Sequence, residues 1–548
     1  MVARLPGGTR GRLVSAGVVV VGLAAVYGIG TVTSPATVGS SIQLGHETRV
    51  SVSSAIRACA APGSSGATAS SVATAAIPGK SAAGSASISR LTAGTTTTSA
   101  PLRTLATPGV LTVSPVSAAA PVPAAAPHAG ASSGATASPA ASPSASSSAP
   151  ASNSAAGSAP AVATTPGRGG VVVQATGAMA QGLEVEQAGS GGLVTAQCPA
   201  PGTDFWFVGP GVAAAAQVEL YLMNTDSQAA DAEVDALTDS GPLLGSSDTG
   251  IIVPPHSMVV QSLGTYLHAS HALSLHVTTS VGRVAVAVRQ STGGTTPSPV
   301  FGAAATPDPG GWLPATQPPA TSLTIPGLPG TAGTVTLYLA VPGTANAQVK
   351  VTAVTAKGTY QPTGGSGIDL PGDSAVATQI ASLSGVPAAI RITSNVPVTA
   401  SAVISGGAAG SAGAISPAAV PVVEQGVAAA NPAGSAGSTE LVISAPGRAA
   451  AVRITTGTAK ISLAGQAGTT VTVPAGQTVV TPVSPPSGGG SGPFSVVVTP
   501  EAGSGPVYVG RVIRSGGIIR TIMPLTSALT WVQLPPVQDS LHALGSGS

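Results

Sequence analysis

The stretch His268-Ala-Ser-His271-Ala-Leu-Ser-Leu-His276 gathers three of the chain's seven histidines within nine residues, and neutral imidazoles so spaced are natural zinc ligands. Their setting argues otherwise. His276 falls inside ALSLHVTT, where period-two alternation puts it opposite Leu275 and Val277 and hence on the polar face of a strand. No cysteine or acid adjoins the three in sequence. Asp231, Glu233 and Asp235 alternate between Asp226 and Asp239, an oxygen-rich pattern that suits calcium, but the same spacing describes a solvated strand face opposite Val234 and Ala236. Gly130-Ala-Ser-Ser-Gly134 spells a nucleophile elbow yet lacks the strand-to-helix turn and the Asp and His partners an elbow needs. No phosphate-binding loop, dinucleotide fingerprint or HExxH pattern is present. No catalytic, cofactor-binding or metal-ligating residue is expected, and the chain reads as non-enzymatic.

Rarer residues cluster elsewhere. CPAPGTDFWFVGPG, residues 198–211, sets Phe205, Trp206 and Phe207 side by side in a chain that is 2% aromatic. Alternation along this strand sends Trp206 to one face and its neighbours to the other, so one face fills a core and the second covers a junction or meets a partner. Trp206, Trp312 and Trp531 are the residues that could stack on sugar faces, which makes them the expected binding surface if the protein contacts glycans.

The elements that must hold these residues begin with a membrane segment. Leu13–Val32 is an uncharged, mostly apolar run of twenty, about the length of a membrane-spanning helix. Arg4, Arg10 and Arg12 precede it and no charge follows until Glu47, which places residues 1–12 in the cytoplasm and the rest outside. A signal peptide cleaved near Ser34-Pro35-Ala36 is the competing reading; the length of the run and the proline at the cleavage bond favour a retained anchor. Outside the cytoplasm disulfides persist, so the two cysteines, Cys59 and Cys198, are expected to form one structural bridge. Twenty basic against eighteen acidic side chains is too weak a balance for a nucleic-acid partner.

Residues 60–166 contain no aromatic and no acidic residue, and so low a hydrophobic content predicts a disordered Ala/Ser/Pro/Thr-rich tract. The bridge would turn it from a stalk into an excursion pinned at both ends. After a spacer and first strand (33–59, with the strand in TRVSVSS), short Val/Ile/Leu/Thr runs alternate with Gly and Pro, the pattern of an all-β sandwich protein, immunoglobulin-like or related. Three motifs recur 117 positions apart: VELYL (218–222) as VTLYL (335–339), EVDALT (233–238) as KVTAVT (350–355), and GIIVPPHSMVV (250–260) as GIDLPGDSAVA (367–377). A further copy follows, with LVISAPGRAAAVRI (441–454) and TVPAGQTVVT (472–481). Three tandem sandwiches are therefore expected, at 167–315, 316–425 and 426–541, arranged as an extended rod.

An early cysteine after a short strand (Cys59), then C-P-x-P-x-x-x-x-W-F-V-G (Cys198, Pro199, Pro201, Trp206–Gly209), the Val253-Pro254-Pro255 step and Gly311-Trp312-Leu313-Pro314 resemble the actinobacterial domain of unknown function 5719 family. The likeness spans most of residues 45–541 outside the low-complexity tract. It implies an anchored envelope protein of a high-GC Gram-positive bacterium and carries no activity and no catalytic residues. The expectation from sequence is a single-pass cell-membrane protein, bulk outside, serving as a structural or scaffolding part of the envelope with an envelope-protein partner. The alternative is a carbohydrate-binding or adhesive module on cell-wall glycans.

Overall fold

The computed structural model describes residues 48–60, 70–77, 83–91, 101–105, 108–116, 169–189, 193, 195–211, 216–244, 250–263, 270–292, 311–330, 335–380, 383, 385–404 and 414–534. The chain divides into a terminal unit, 1–50 with 533–548, and a main unit, 51–532. In the former, the described residues belong to a two-stranded ribbon of β1 (Thr48–Ser51) and β36 (Trp531–Leu534). The span expected at 13–32 lies outside the described residues; among those described, no helix is long and apolar enough to cross a membrane.

Four sandwiches make up the main unit. The first comprises β2 (Ser54–Cys59), β3 (Ser70–Ala75), β4 (Ala86–Leu91), β5 (Pro101–Thr104), β6 (Thr112–Val116), β7 (Gly170–Thr176), β8 (Glu184–Ala188) and β9 (Thr195–Gln197). The second runs through β10 (Asp204–Pro210), β11 (Ala216–Asn224), β12 (Ala230–Thr238), an added hairpin strand β13 (Gly241–Leu244), β14 (Ile251–Val253), β15 (Ser257–Ser262), β16 (Ala272–Val281), β17 (Ala285–Thr292), and β18 (Gly311–Leu313) with β19 (Ala315–Thr316). The third has β20 (Ala320–Leu328), β21 (Val335–Val341), β22 (Ala347–Thr355), the hairpin strand β23 (Gly358–Tyr360), β24 (Ile368–Leu370), β25 (Ser374–Ile380), β26 (Ala388–Ile404) and β27 (Ala414–Pro417). The fourth holds β28 (Gly426–Asn431), β29 (Ser438–Ala445), β30 (Ala450–Thr458), β31 (Thr469–Val473), β32 (Gln477–Val483), β33 (Phe494–Pro500), β34 (Tyr508–Ser515) and β35 (Ile518–Pro524).

One wiring diagram serves all four. One sheet orders its strands fourth, third, sixth, first and the other fifth, second, seventh, eighth; in the third copy the seventeen-residue β26 serves as both sixth and seventh strand. This is a two-sheet sandwich but not the immunoglobulin arrangement, whose sheets read ABED and CFG. Period-two burial builds it. In β12, Ala230, Ala232, Val234 and Ala236 are buried while Asp231, Glu233 and Asp235 are only partly covered, so the acidic row is the outer face of a strand whose alanines let the sheets approach. The turn before the fifth strand repeats too. His256 and Asp373, 117 positions apart, both take φ 49°, and Gly476 takes φ 69° at the matching place; Ser257 and Ser374 each donate to the carbonyl of the proline three residues back at 2.7 Å.

The structure corrects the reading of residues 60–166. Strands β3 to β6 form between 70 and 116, and with β2 and β7–β9 they complete a sandwich of their own; 117–168 lies outside the described residues. Side chains too small to register as a hydrophobic run fill this core: Val72, Ala86, Ile88, Val173 and Val185 pack around the cysteines. There are accordingly four copies, and β7–β9 belong to the first rather than opening a repeat at 167. The low-complexity stretch enters between its fifth and sixth strands.

The extended rod is also corrected. Sandwich one meets two through Ala58, Leu91 and Val172 against Tyr221, Met223 and Met258. Two meets three where Tyr338, Ala340 and Ile415 join the Phe207 core, and three meets four where Val442, Val512 and Ile522 join the Leu323 core. Four returns to one through Val427, Ala429 and Ala528 against Ala73, Ala75 and Ile77. The contacts form a closed circuit because each copy carries apolar side chains outside its own core, and burying them on one neighbour alone would leave the first and fourth copies with open apolar faces.

Candidate functional site

The eighth strands all turn toward a common centre. Residues from β9, β18–β19, β27 and β35 line a cavity of about 360 Å³, a volume typical of small-molecule sites. Trp312 and Leu313 contribute from the second sandwich, Ile415 from the third, and Ile522 and Met523 from the fourth; Gln187 and Gln197 come from the first. Trp312 is held from behind by Tyr221, with ring centroids 5.5 Å apart and tilted by 56°.

Beside the cavity, where the first and fourth sandwiches join, lies a buried polar network. Both faces of β8 are covered: Val185 points into its own core while Glu184 and Glu186 face the other way. Arg511 on β34 meets Glu186 at 2.8 Å with both side chains fully buried. Its Nη1 donates to the Ala430 carbonyl at 2.7 Å, and Glu186 Oε2 accepts no directed hydrogen bond, so the contact between the two side chains is ionic. Nη2 donates to Thr195 Oγ1 at 2.6 Å, and Glu186 Oε1 accepts from the Ala429 amide at 2.6 Å. Desolvation pushes the Glu184 carboxyl up to about 8, against the pull of the nearby Arg57 charge and with a push from Glu186.

Cys59 and Cys198 are bonded, joining the end of β2 to the residue after β9 across 139 positions. The three tryptophans, expected to offer one binding surface, are separated. Trp206 is 7% exposed and stacks on His276 with centroids 3.8 Å apart; Trp312 is half-buried at the cavity; Trp531 is half-buried on β36. Phe207 fills the core of the second sandwich. His276, read as a polar-face residue with no acid near it in sequence, has Asp204 at 3.1 Å and Asp235 at 4.0 Å, because β10 and β12 flank β16 and bring both carboxylates across from it. His271 is exposed, and His268 and Gly130–Gly134 lie outside the described residues. Asp226 forms a two-pronged ion pair with Arg283, at 2.7 and 3.0 Å, whose hydrogen bonds hold its carboxyl below the usual range. Among the described residues no group of three or more potential ligands could hold a metal ion.

Sequence reasoning passed over Glu184, Glu186, Gln187 and Arg511. GLEVEQA does place two glutamates on one strand face, but the partner that makes that face interior lies more than three hundred positions away.

Four like sandwiches closed around a cavity define a repeat protein with a built centre. The chain belongs to the DUF5719 family, a family of unknown function, whose model matches residues 173–484. That match covers the second and third sandwiches whole and parts of the first and fourth. No curated protein and no solved structure matches the chain.

Proposed function

We propose that this is a non-enzymatic, structural component of a cell envelope, held at the membrane by residues 13–32 with its N-terminus in the cytoplasm and the four-sandwich circuit outside, where it serves as a scaffold for an envelope-protein partner. The observation that carries this reading is the closure of the circuit. Four interfaces, one of them sealed by a fully buried ion pair, together with a disulfide in the core of the first sandwich, make a platform whose surface positions stay fixed relative to one another. The bridge also suits an oxidising compartment. The alternative, a carbohydrate-binding or adhesive module on cell-wall glycans, calls for aromatic rings on an open face; Trp206 is 7% exposed and the other two tryptophans are half-buried, which favours the scaffold.

Photo-crosslinking in intact cells tests it, with the reactive group at Tyr360, which is 41% exposed on the third sandwich, or at Val281, 61% exposed on the second. One recurrent envelope protein should be captured, and the full chain should sediment with membranes until residues 13–32 are deleted. Capture of cell-wall polymer in place of protein would overturn the scaffold in favour of the glycan reading.

A further inference from the structure

We propose that an apolar patch formed by Val420, Val423, Leu529 and Val532 rests on the lipid surface of the membrane in which the chain is anchored. The inference builds on the anchor at residues 13–32 proposed above and adds which face of the protein meets the bilayer. Nine large apolar side chains are exposed among the described residues, and four of them are these, with Val423 at 73% and Leu529 at 53%. They stand on two segments held side by side. The Val423 amide donates to Ser527 Oγ at 2.8 Å, the Ala528 amide to the Gln425 carbonyl at 2.7 Å, and Thr530 Oγ1 to Glu424 Oε2 at 3.1 Å. The core contacts of these segments are made by other residues, Val422 and Ala528, which are buried. Apolar groups gathered in water at one place mark a contact surface.

Two features select lipid as the occupant. First, the chain coming from the anchor arrives at the same place: the Val52 amide donates to the Thr530 carbonyl at 2.9 Å, and Val52 lies twenty positions after Val32. Fully extended, that stretch reaches about 70 Å, so the patch is held near the bilayer and meets it as an intramolecular partner. Second, the chemistry suits an interface. Residues 418–426 and 524–532 hold no Lys or Arg and a single acid, Glu424, whose carboxylate already accepts from Thr530. Trp531 stands among them, half-buried, and tryptophan collects where headgroups meet hydrocarbon. With no cation in these segments, apolar burial alone drives the contact, and anionic headgroups are not required.

The test labels the full chain with a nitroxide at one introduced cysteine, the native pair being bonded to each other. Collisions are read with oxygen, which concentrates in lipid, and with a nickel chelate, which stays in water. In phosphatidylcholine nanodiscs, labels at Val423→Cys and Leu529→Cys should show an oxygen-to-nickel ratio several-fold above labels at Val281→Cys and Tyr360→Cys, and added salt should leave it unchanged. Leu529→Asp with Val532→Asp should bring the Val423 label down to the level of the Val281 label while Tm holds, because both replaced side chains are exposed. Flotation with phosphatidylcholine vesicles separates two failures. A full chain that does not float overturns the anchor and the contact together; a floating chain whose labels at 423 and 529 match the one at 281 overturns the contact alone, as does a ratio that survives the double substitution. Labels shielded from both reagents and coupled between copies would give the patch to a second copy of the chain and overturn the lipid assignment.

Discussion

Two acidic residues on β8 face the same way and have opposite energetic characters. Glu186 is matched by Arg511 and by the Ala429 amide, whereas Glu184 is buried with its carboxyl pushed up to about 8. The folded protein therefore holds a proton on Glu184 that the unfolded chain, titrating near 4.5, has released. Between these values the native state binds more protons than the unfolded state, so stability falls as pH rises, by about 1.4 kcal/mol per pH unit. Glu184→Gln should flatten the dependence of Tm on pH between 5 and 8 and leave the variant the more stable protein at pH 8; a slope unchanged by the substitution would show that another group is responsible. For the ion pair, Arg511→Met strands a buried carboxylate and should cost about 3–5 kcal/mol. Pairing it with Glu186→Gln should restore much of that loss in urea titrations, because the amide oxygen still accepts from Ala429 and no charge is left unmatched.

At the level of strands, the junction between the third and fourth sandwiches depends on two glycines. Gly327 takes φ +81°, and a Cβ on Gly510 would collide with the Gly327 backbone; β20 and β34 can lie this close only because neither carries a side chain there. Gly510→Val should cost about 2 kcal/mol or more and speed amide exchange in both strands, while Gly447→Ala, where a Cβ meets nothing within 4 Å, should stay within about 0.5 kcal/mol of the parent. The strands themselves were largely legible in sequence. VELYL and VTLYL became second strands of successive copies, and the VPPHS and LPGDS steps became the same turn with the same serine hydrogen bond, because period-two burial and turn chemistry are local. The first sandwich escaped notice because SSVATAAI and ASISRL hide their core positions among alanines and serines, and because the fifty-odd residues between β6 and β7 destroy the spacing a repeat search relies on. The cavity could not be read at all: its walls come from four eighth strands, each short and unremarkable alone.

For the whole molecule, the closed circuit makes stability collective. The first sandwich packs on both the second and the fourth, so cutting the chain after the third exposes apolar faces on the first and third copies at once. A chain ending at 425 should lose cooperativity and aggregate, where an open row of sandwiches would merely shorten; a soluble product with an undiminished Tm would argue for independent modules. The bridge has a different reach. Cys59 lies before the long insertion of the first sandwich and Cys198 after it, so hydrolysis of any single peptide bond from 117 to 168 produces two polypeptides that remain one covalent molecule. Such a nicked protein should run as a single band on a non-reducing gel and as two once a thiol is added, with the heavier fragment beginning inside the insertion. Processing there would be invisible to size, and its effect on the fold would be suspended until the surroundings became reducing.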